Sequence, residues 1–178
     1  ANFGTALRHL GEYKEALNQC QQATIDNPDY PDSWNALGQV QRELRDYLGA
    51  IESFSRAISE RKGFIEAYAN LAGTYFKLGD INQATKTYDQ VIQIAPNFAE
   101  GYAGMGTVFM AAGEFRDSVR YLRKAVEIRP SFGEAWAGLV TALGRDVTDN
   151  DIAKIEQLAK DPSTPNIDVI NLNFAMGE

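Results

Sequence analysis

A spacing of 34 residues recurs along this chain of 178 residues and constrains its fold more than any other feature. Ala16, Ala50 and Ala84 lie 34 positions apart, and Ser118 continues this column with another small side chain. Six further columns keep the same register, and one of them holds large aromatic residues: Trp34, Tyr68, Tyr102 and Trp136. Self-similarity at a period of about 20 to 50 residues is typical of repeat proteins. The chain is therefore predicted to be a line of equivalent small units that stack on one another.

Each repeat is predicted to contain two amphipathic helices. In the repeat at 65–98, Ile65–Leu78 has an apolar face at helical spacing, formed by Tyr68, Leu71, Ala72 and Tyr75. Gly79 supplies the turn, because glycine accepts the left-handed backbone that ends a helix. The second helix, Ile81–Ala95, has its apolar face at Ala84, Tyr88, Val91 and Ile92. Pro96 ends this helix, and Asn97 is predicted to cap the next one.

The order of residue types within each repeat resembles the tetratricopeptide repeat, with an aromatic, Leu-Gly, a second aromatic, two Ala positions and a closing Pro. The first complete repeat carries Trp34, Leu37, Gly38, Ala50, Phe54 and Ala57. The next carries Tyr68, Leu71, Tyr75, Gly79, Ala84, Tyr88 and Pro96, and the third Tyr102, Met105, Gly106, Phe109, Gly113, Ala125 and Pro130. The resemblance implies an all-α fold, a right-handed superhelical solenoid of stacked antiparallel helix hairpins whose first helices line the concave side.

The register divides the chain into an array and a tail. Complete repeats are predicted at 31–64, 65–98 and 99–132, with a partial repeat at 1–30 and the first helix of a fifth at 133–145. The array thus covers 1–145, and 146–178 is predicted to be a degenerate helical tail. Because Ala1 is not a start Met and the last residues stop inside an apolar stretch, we expect the chain to be part of a longer protein.

Some positions depart from the repeat pattern. Arg45 stands where the turn glycine is expected, Lys62 where the closing Pro is, and Gln41 where an aromatic is. A left-handed backbone costs a non-glycine residue about 1 kcal/mol, so we expect the turn at Arg45 to adopt another shape. Cys20 occupies a core column and is predicted to be a buried, unreactive thiol.

The tail predicts two helix starts. Thr148 is the expected cap of a helix that runs to Lys160, with Asp149 and Asp151 at its positive N-terminus. Pro165 is expected at the first position of a second helix, and the segment 174–177 resembles the opening of another repeat. The residues Asp149, Asp151, Leu172, Phe174 and Gly177 also resemble the end of the repeat region in bacterial proteins that join such repeats to a sulfotransferase domain.

The sequence carries no motif of a reaction centre. It has no Gly-x-x-x-x-Gly-Lys loop, no His-Glu-x-x-His pair and no Gly-x-Ser-x-Gly elbow, and its one histidine is His9. Asp149 and Asp151 alternate as calcium ligands do, but the glycine and the distal Glu of such a loop are absent. The segment is therefore predicted to have no catalytic, cofactor-binding or metal-binding residue and not to be an enzyme.

An acidic residue also recurs every 34 positions near the start of each first helix, at Asp32, Glu66, Glu100 and Glu134. These carboxylates are candidates for contacts with a basic peptide. A capping role is favoured, because Asn97 and Ser131 each lie three residues before an acid of this series, which is capping-box spacing.

The resemblance implies which residues line the concave groove. The groove candidates are Thr5, Arg8, Asn35, Gln39, Arg42, Asn70, Gly73, Thr107, Met110 and Thr141. Asn70 matches a position at which relatives with long superhelices hold an extended peptide backbone. Ala1 and Thr5 replace the first members of the set that clamps a C-terminal carboxylate in chaperone-binding relatives, which disfavours that role. The predicted function is a protein-interaction scaffold that binds a peptide or a helix.

The net charge of the chain and the apolar residues at its ends indicate which classes of partner are expected. The net charge of −7 disfavours nucleic acid as a partner, and no apolar run is long enough for a membrane span. Self-association through open ends is a further possibility, with apolar residues Phe3, Leu7 and Leu10 at one end and the helix at 172–176 at the other. A cytoplasmic location is expected. The alternative function is a substrate-positioning arm of a larger transferase whose catalytic domain lies beyond Glu178.

Overall fold

The computed structural model describes residues 13–177, and its secondary structure in that range is helical, without a strand. Ten α-helices follow one another there, and a short 3₁₀ turn, Gly144–Asp146, follows the eighth. Their bounds are α1 Tyr13–Asp26, α2 Pro31–Glu43, α3 Tyr47–Glu60, α4 Ile65–Leu78, α5 Ile81–Ile94, α6 Ala99–Ala111, α7 Phe115–Ile128, α8 Gly133–Leu143, α9 Asp149–Lys160 and α10 Asn166–Met176. The predicted all-α class is confirmed.

The chain divides into two compact bodies, an N-terminal body that ends at Ile94 and a C-terminal body that begins at Ala95. In the N-terminal body, α1 packs against α2, α2 against α3, α3 against α4 and α4 against α5. Such contacts between successive helices are those expected of hairpins that stack in a line. In the C-terminal body, α6 packs on α7 and α7 on α8, while the main partner of α8 is α10.

The column of small residues lies where helices approach each other closely. Ala16, Ala50 and Ala84 are fully buried, as predicted from their spacing. The same closeness is seen at Gly38, where a Cβ atom would lie 2.8 Å from Cε1 of Phe54. Cys20 is buried in the same core, as expected.

The turns between the helices of a hairpin share one geometry, and here one prediction is wrong. Arg45 has a φ of 63°, so it adopts the left-handed conformation that Gly79 and Gly113 adopt at φ 88° and 79°. The hydrogen bond that closes the turn is also the same in kind, because the amide of the following residue donates to the helix in each case. The prediction of another shape at Arg45 fails because this closure depends on the backbone and not on the side chain.

A second prediction, that Asn97 and Ser131 cap the first helices of their repeats, is also wrong. The residues at the N-caps of α2, α4, α6 and α8 are aromatic, namely Tyr30, Phe64, Phe98 and Phe132, and none of them makes a side-chain capping bond. Asn97 and Ser131 are therefore not caps. Two acids of the 34-residue series pair instead with arginines about one repeat later. Asp32 contacts Arg61, with 2.5 Å between Oδ2 and Nη2, and Glu100 pairs with Arg129.

Gln41, which stands where the repeat pattern has an aromatic residue, forms a hydrogen bond with a nearby side chain. Its Oε1 accepts a hydrogen bond from Oγ of the buried Ser53, at 2.6 Å. A polar pair thus stands where other repeats place aromatic side chains, and the buried hydroxyl is satisfied.

The tail forms the two helices that the sequence predicts, with corrections at the second. Thr148 caps α9 in a capping box with Asp151, as expected. Pro165 is the N-cap of α10 and not its first helical residue. The segment 174–177 closes α10 at the left-handed Gly177 and does not open a new helix. Leu172 is fully buried, so the exposed apolar residues of this helix are others: Ile167, Ile170 and Phe174.

Candidate functional site

The N-terminal body presents a polar face on two neighbouring first helices. On α2, Asn35, Gln39 and Arg42 follow one another at spacings of four and three, which places them on one side of the helix. On α4, Asn70 and Gly73 are three residues apart. All five are partly exposed. We call this set the polar face, and it contains five of the predicted groove residues.

Hydrogen bonds join the two helices across the polar face. The side-chain amide of Asn70 donates through Nδ2 to Oδ1 of Asn35, at 3.0 Å. Nη1 of Arg42 donates to Oδ1 of the same Asn70, at 3.2 Å. Asn70 is therefore fixed from both sides by α2, and its orientation is set before any ligand arrives.

Gly73 leaves an opening in the polar face. A Cβ atom at this position would lie 3.4 Å from Oη of Tyr88 and 3.9 Å from Nη1 of Arg42. Tyr88 belongs to α5 and is largely buried, so its hydroxyl reaches the opening from beneath. The repeat pattern predicts Tyr88 in the core and does not indicate this position of its hydroxyl.

The remaining candidates lie elsewhere. Thr107 and Met110 are on α6 and Thr141 is on α8, all in the C-terminal body. The two hydroxyls donate to carbonyl oxygens of their own helices, from Thr107 to Ala103 at 3.0 Å and from Thr141 to Ala137 at 2.8 Å. No hydrogen bond joins these three side chains to one another among the described contacts. Thr5 and Arg8 fall outside the residues that the structure describes.

The C-terminal body contains an ion pair in which the carboxylate is buried and the arginine is partly exposed. Asp151 is 3% exposed, and its Oδ2 accepts from Nη2 of Arg123 at 2.8 Å, while Nη1 bonds Oδ1. The hydrogen bonds from Arg123, and then those from Thr148, hold the pKa of Asp151 well below its usual range. The pKa of Arg123 is raised in return, chiefly by the same hydrogen bond. The pair joins α7 to α9 and has a structural role.

Residues 13–177 form neither a metal site nor a helix that could span a membrane. Within residues 13–177, no group of three or more His, Cys, Asp or Glu side chains is placed to hold a metal ion. None of the helices described here combines the length and the apolar character that crossing a membrane requires.

Comparisons with known protein families agree with the repeat pattern of the sequence. Three family models described as "Tetratricopeptide repeat" match residues 2–63, 41–106 and 99–132. No curated protein sequence matches the chain. The tail after residue 132 lies outside these matches, so its resemblance to the sulfotransferase-linked repeat proteins stays a prediction.

Solved structures share the fold at low sequence identity. A thermophilic tetratricopeptide repeat protein of Thermus thermophilus is 19% identical with a TM-score of 0.79, covering 99% of this chain and 97% of that one. MamA from Desulfovibrio magneticus is 18% identical with a TM-score of 0.70, covering 88% of this chain and 89% of that one. YrrB, a repeat protein with an unusual peptide-binding site, is 14% identical with a TM-score of 0.62, covering 99% of this chain and 90% of that one.

Proposed function

Because this chain belongs to the tetratricopeptide repeat family, we propose that it is a non-catalytic protein-interaction scaffold whose polar face binds the main chain of an extended peptide. The observation that carries this proposal is the hydrogen-bonded series of Asn35, Asn70 and Arg42. The description of YrrB as having a peptide-binding site gives a precedent for peptide binding on this fold.

The chemistry of the polar face fits a peptide group. A side-chain amide offers both a donor and an acceptor, which is the pattern that a peptide N–H and C=O need. Asn35 and Gln39 supply such groups on α2, and Asn70 supplies one on α4. Because Asn70 is already oriented by two hydrogen bonds, little side-chain entropy is lost when the ligand binds. Main-chain contacts of this kind give affinity with little dependence on ligand sequence.

The test begins with a random dodecapeptide library displayed on phage and selected against the immobilised full chain. The tightest peptide is then synthesised, and its dissociation constant is measured by calorimetry. The double variant Gln39→Ala, Asn70→Ala is expected to lose about 2 kcal/mol of binding free energy, since each lost neutral hydrogen bond contributes about 1 kcal/mol.

The matched control is Asn82→Ala, which removes an exposed amide from α5 away from the polar face. It should bind the peptide as the unchanged chain does. An unchanged dissociation constant in the double variant, or a library that yields no binder, would contradict the proposal.

A further inference from the structure

Four cationic residues give helix α7 a basic surface in a chain whose net charge is −7. We propose that this surface is a second interaction site, which binds a short acidic segment of a partner protein in an extended conformation. The site belongs to the C-terminal body, whereas the polar face belongs to α2 and α4 of the N-terminal body. The proposal therefore stands apart from the function proposed for the polar face.

Three of the cations lie on one side of α7. Arg116, Arg120 and Lys124 follow one another at spacings of four residues, which brings their side chains to the same side of a helix. All three are exposed, and we call them the basic stripe. The corresponding positions of α5, 34 residues earlier, hold a single cation, Lys86. The repeat pattern therefore does not require the stripe, which is a particular feature of α7.

A cleft of about 540 Å³ lies beside the basic stripe. Aromatic and charged residues line it, namely Tyr102, Arg120, Tyr121, Arg123, Lys124 and Glu127. Arg123 is already paired with the buried Asp151, so we assign the ligand contacts of the cleft to Arg120 and Lys124. An acidic segment that follows the stripe thus meets two of its three cations at a concave place.

The aromatic wall of the cleft is held in place by its neighbours. The Tyr121 ring stacks on that of Phe109 with 5.3 Å between the centroids, and its centroid lies 6.4 Å from that of Tyr102. The Arg120 guanidinium lies over the same Tyr121 ring, 4.8 Å from the centroid, which is a cation–π contact. Arg120 is therefore already positioned at the wall, so less side-chain entropy is lost when it binds a carboxylate.

The acids that pair with the stripe are exposed neighbours on the same helix. Nη2 of Arg120 lies 2.9 Å from Oδ1 of Asp117, and Nζ of Lys124 lies 3.2 Å from Oε2 of Glu127. Solvent reaches every member of these two pairs, and exposed pairs of this kind contribute little to stability. Arg116 forms no ion pair with another residue of 13–177. A carboxylate from a ligand can therefore join or replace the internal partners.

The spacing of the stripe matches an extended peptide. Residues four positions apart on a helix are separated by about 6 Å along its axis. In an extended peptide, alternate side chains point to the same side and lie about 6.6 Å apart. Acidic residues at every second position can therefore face Arg116, Arg120 and Lys124 in turn. The ligand class is accordingly a segment in which Glu or Asp alternates with other residues.

The length of the stripe favours a peptide over a nucleic acid. From its first to its last cation, the stripe spans about 12 Å of the helix axis. A longer polyanion would extend past it over a chain with an excess of acidic residues, and like charges repel. A short acidic peptide can make its ionic contacts without leaving the basic surface.

The probe for the test is a fluorescein-labelled dodecapeptide of alternating Glu and Ser, and its binding to the full chain is measured by fluorescence anisotropy. Binding should be saturable at about 50 mM salt and weaken about tenfold at about 150 mM, because salt screens exposed charges. The same peptide with Gln in place of Glu should not bind. A peptide of the same composition with Glu and Ser in alternating pairs should bind about threefold more weakly, because its carboxylates on one side lie twice as far apart.

The triple variant Arg116→Gln, Arg120→Gln, Lys124→Gln is expected to raise the dissociation constant of the probe at least about tenfold, since all three ionic contacts are lost. Gln is about as favourable as Arg and Lys inside a helix, so α7 should remain folded, which urea unfolding checks. Arg116→Gln alone removes a cation that has no ion pair to lose, and it should weaken binding about threefold.

The matched control is Arg56→Gln, Lys77→Gln, Lys86→Gln, which removes the same charge from exposed positions of the N-terminal body. It should change the dissociation constant by less than about twofold, because only the distant field of the chain is altered. The comparison of the two triple variants separates a localised site from a general effect of net charge.

Each outcome decides the proposal. If the probe does not bind at low salt, if both triple variants lose the same affinity, or if the two Glu-Ser peptides bind equally, the proposed site is wrong. Tighter binding of a uridine dodecanucleotide that depends on the same three cations would make the partner a nucleic acid and would also overturn it. A loss confined to the α7 variants, with Gln39→Ala, Asn70→Ala binding the probe normally, supports the site and leaves the polar face to its own test.

Discussion

Two close contacts in the C-terminal body differ in how well they tolerate an added side chain. One lies within the hairpin of α6 and α7, and the other lies between α8 and the tail helix α10. In the hairpin of α6 and α7, Gly106 faces Leu122, and an added Cβ atom would lie 2.6 Å from Cγ of that side chain. Where the array meets the tail, Gly133 at the start of α8 faces the backbone of the tail helix α10, and an added Cβ atom would lie 2.3 Å from the carbonyl oxygen of Asp168. A side chain can change rotamer, whereas a carbonyl moves only with its helix.

The tail also supplies α8 with a cap that α2, α4 and α6 lack. The N–H of Gly133 donates to Oδ1 of Asp168 at 3.0 Å, so a carboxylate 35 residues later satisfies the start of α8. An acid at the N-terminus of a helix is favoured by the helix dipole. A repeat hairpin therefore depends on side chains that recur with the period, while the tail depends on a few single contacts.

The largest effect is expected at Gly133. Gly133→Ala should lower the free energy of unfolding by about 3 kcal/mol, because the methyl group meets a backbone that cannot yield without shifting α10. Gly106→Ala should cost about 1 kcal/mol, because Leu122 can move and because Ala favours the helix. Urea unfolding measures both. Equal losses in the two variants would remove the proposed difference between tail and hairpin.

Asp151 is expected to come next. Asp151→Asn should cost about 2 kcal/mol, since it leaves the half-exposed Arg123 without its buried partner. Because the pKa of Asp151 is lowered in the folded chain, its contribution is complete above the usual Asp pKa of about 4 and is lost as the pH falls towards the lowered value. The unchanged chain should therefore lose more stability than the variant between about pH 5 and pH 3. Parallel pH profiles would contradict this origin of the stability.

Replacing Ser118, in the hairpin of α6 and α7, is expected to increase the stability of the chain. It is fully buried in the column of small residues, and its Oγ has no hydrogen-bond partner among the described residues. Ser118→Ala should add about 1 kcal/mol, because an unsatisfied buried hydroxyl is removed without a change of shape. Ala84→Ser, at the equivalent position of the previous repeat, is the reverse control and should destabilise. Thermal unfolding that moves both variants in one direction would count against the argument.

Arg45 is expected to give the smallest change. Arg45→Gly should stabilise by up to about 1 kcal/mol, because the left-handed backbone of this turn strains every residue except glycine. Gly79→Ala, in the turn of the next repeat, should lose a similar amount. A loss of stability in Arg45→Gly would mean that the arginine side chain contributes more than its backbone costs.

The helices, the column of small residues and the cap of α9 could be predicted from the sequence. It predicts the helix Ile65–Leu78 with the observed bounds, and the small column and the Thr148 cap lie where the pattern indicates. Each of these follows from local periodicity or from a cap within one turn of its helix. Three of the predicted groove residues, Asn35, Arg42 and Asn70, are joined by hydrogen bonds, and their role in binding stays a prediction.

Contacts between residues far apart in the sequence could not be predicted from the repeat pattern. The hydroxyl of Tyr88 and the empty position of Gly73 meet only in the folded chain, although comparison of the repeat columns signals both departures. The pairs Asp32–Arg61 and Glu100–Arg129 each join side chains 29 residues apart, whereas the acidic series by itself indicated only local caps. The contact of Gly133 with Asp168 joins two elements that share no pattern, so no spacing indicates it.

The most direct test of the central claim is nuclear magnetic resonance of the side-chain amides during titration with the selected dodecapeptide. The resonances of the Asn35 and Asn70 Nδ2 groups should shift in a saturable manner, with the same dissociation constant as calorimetry, while that of Asn82 stays in place. If the peptide saturates the chain and neither Asn35 nor Asn70 responds, the polar face is not the binding site.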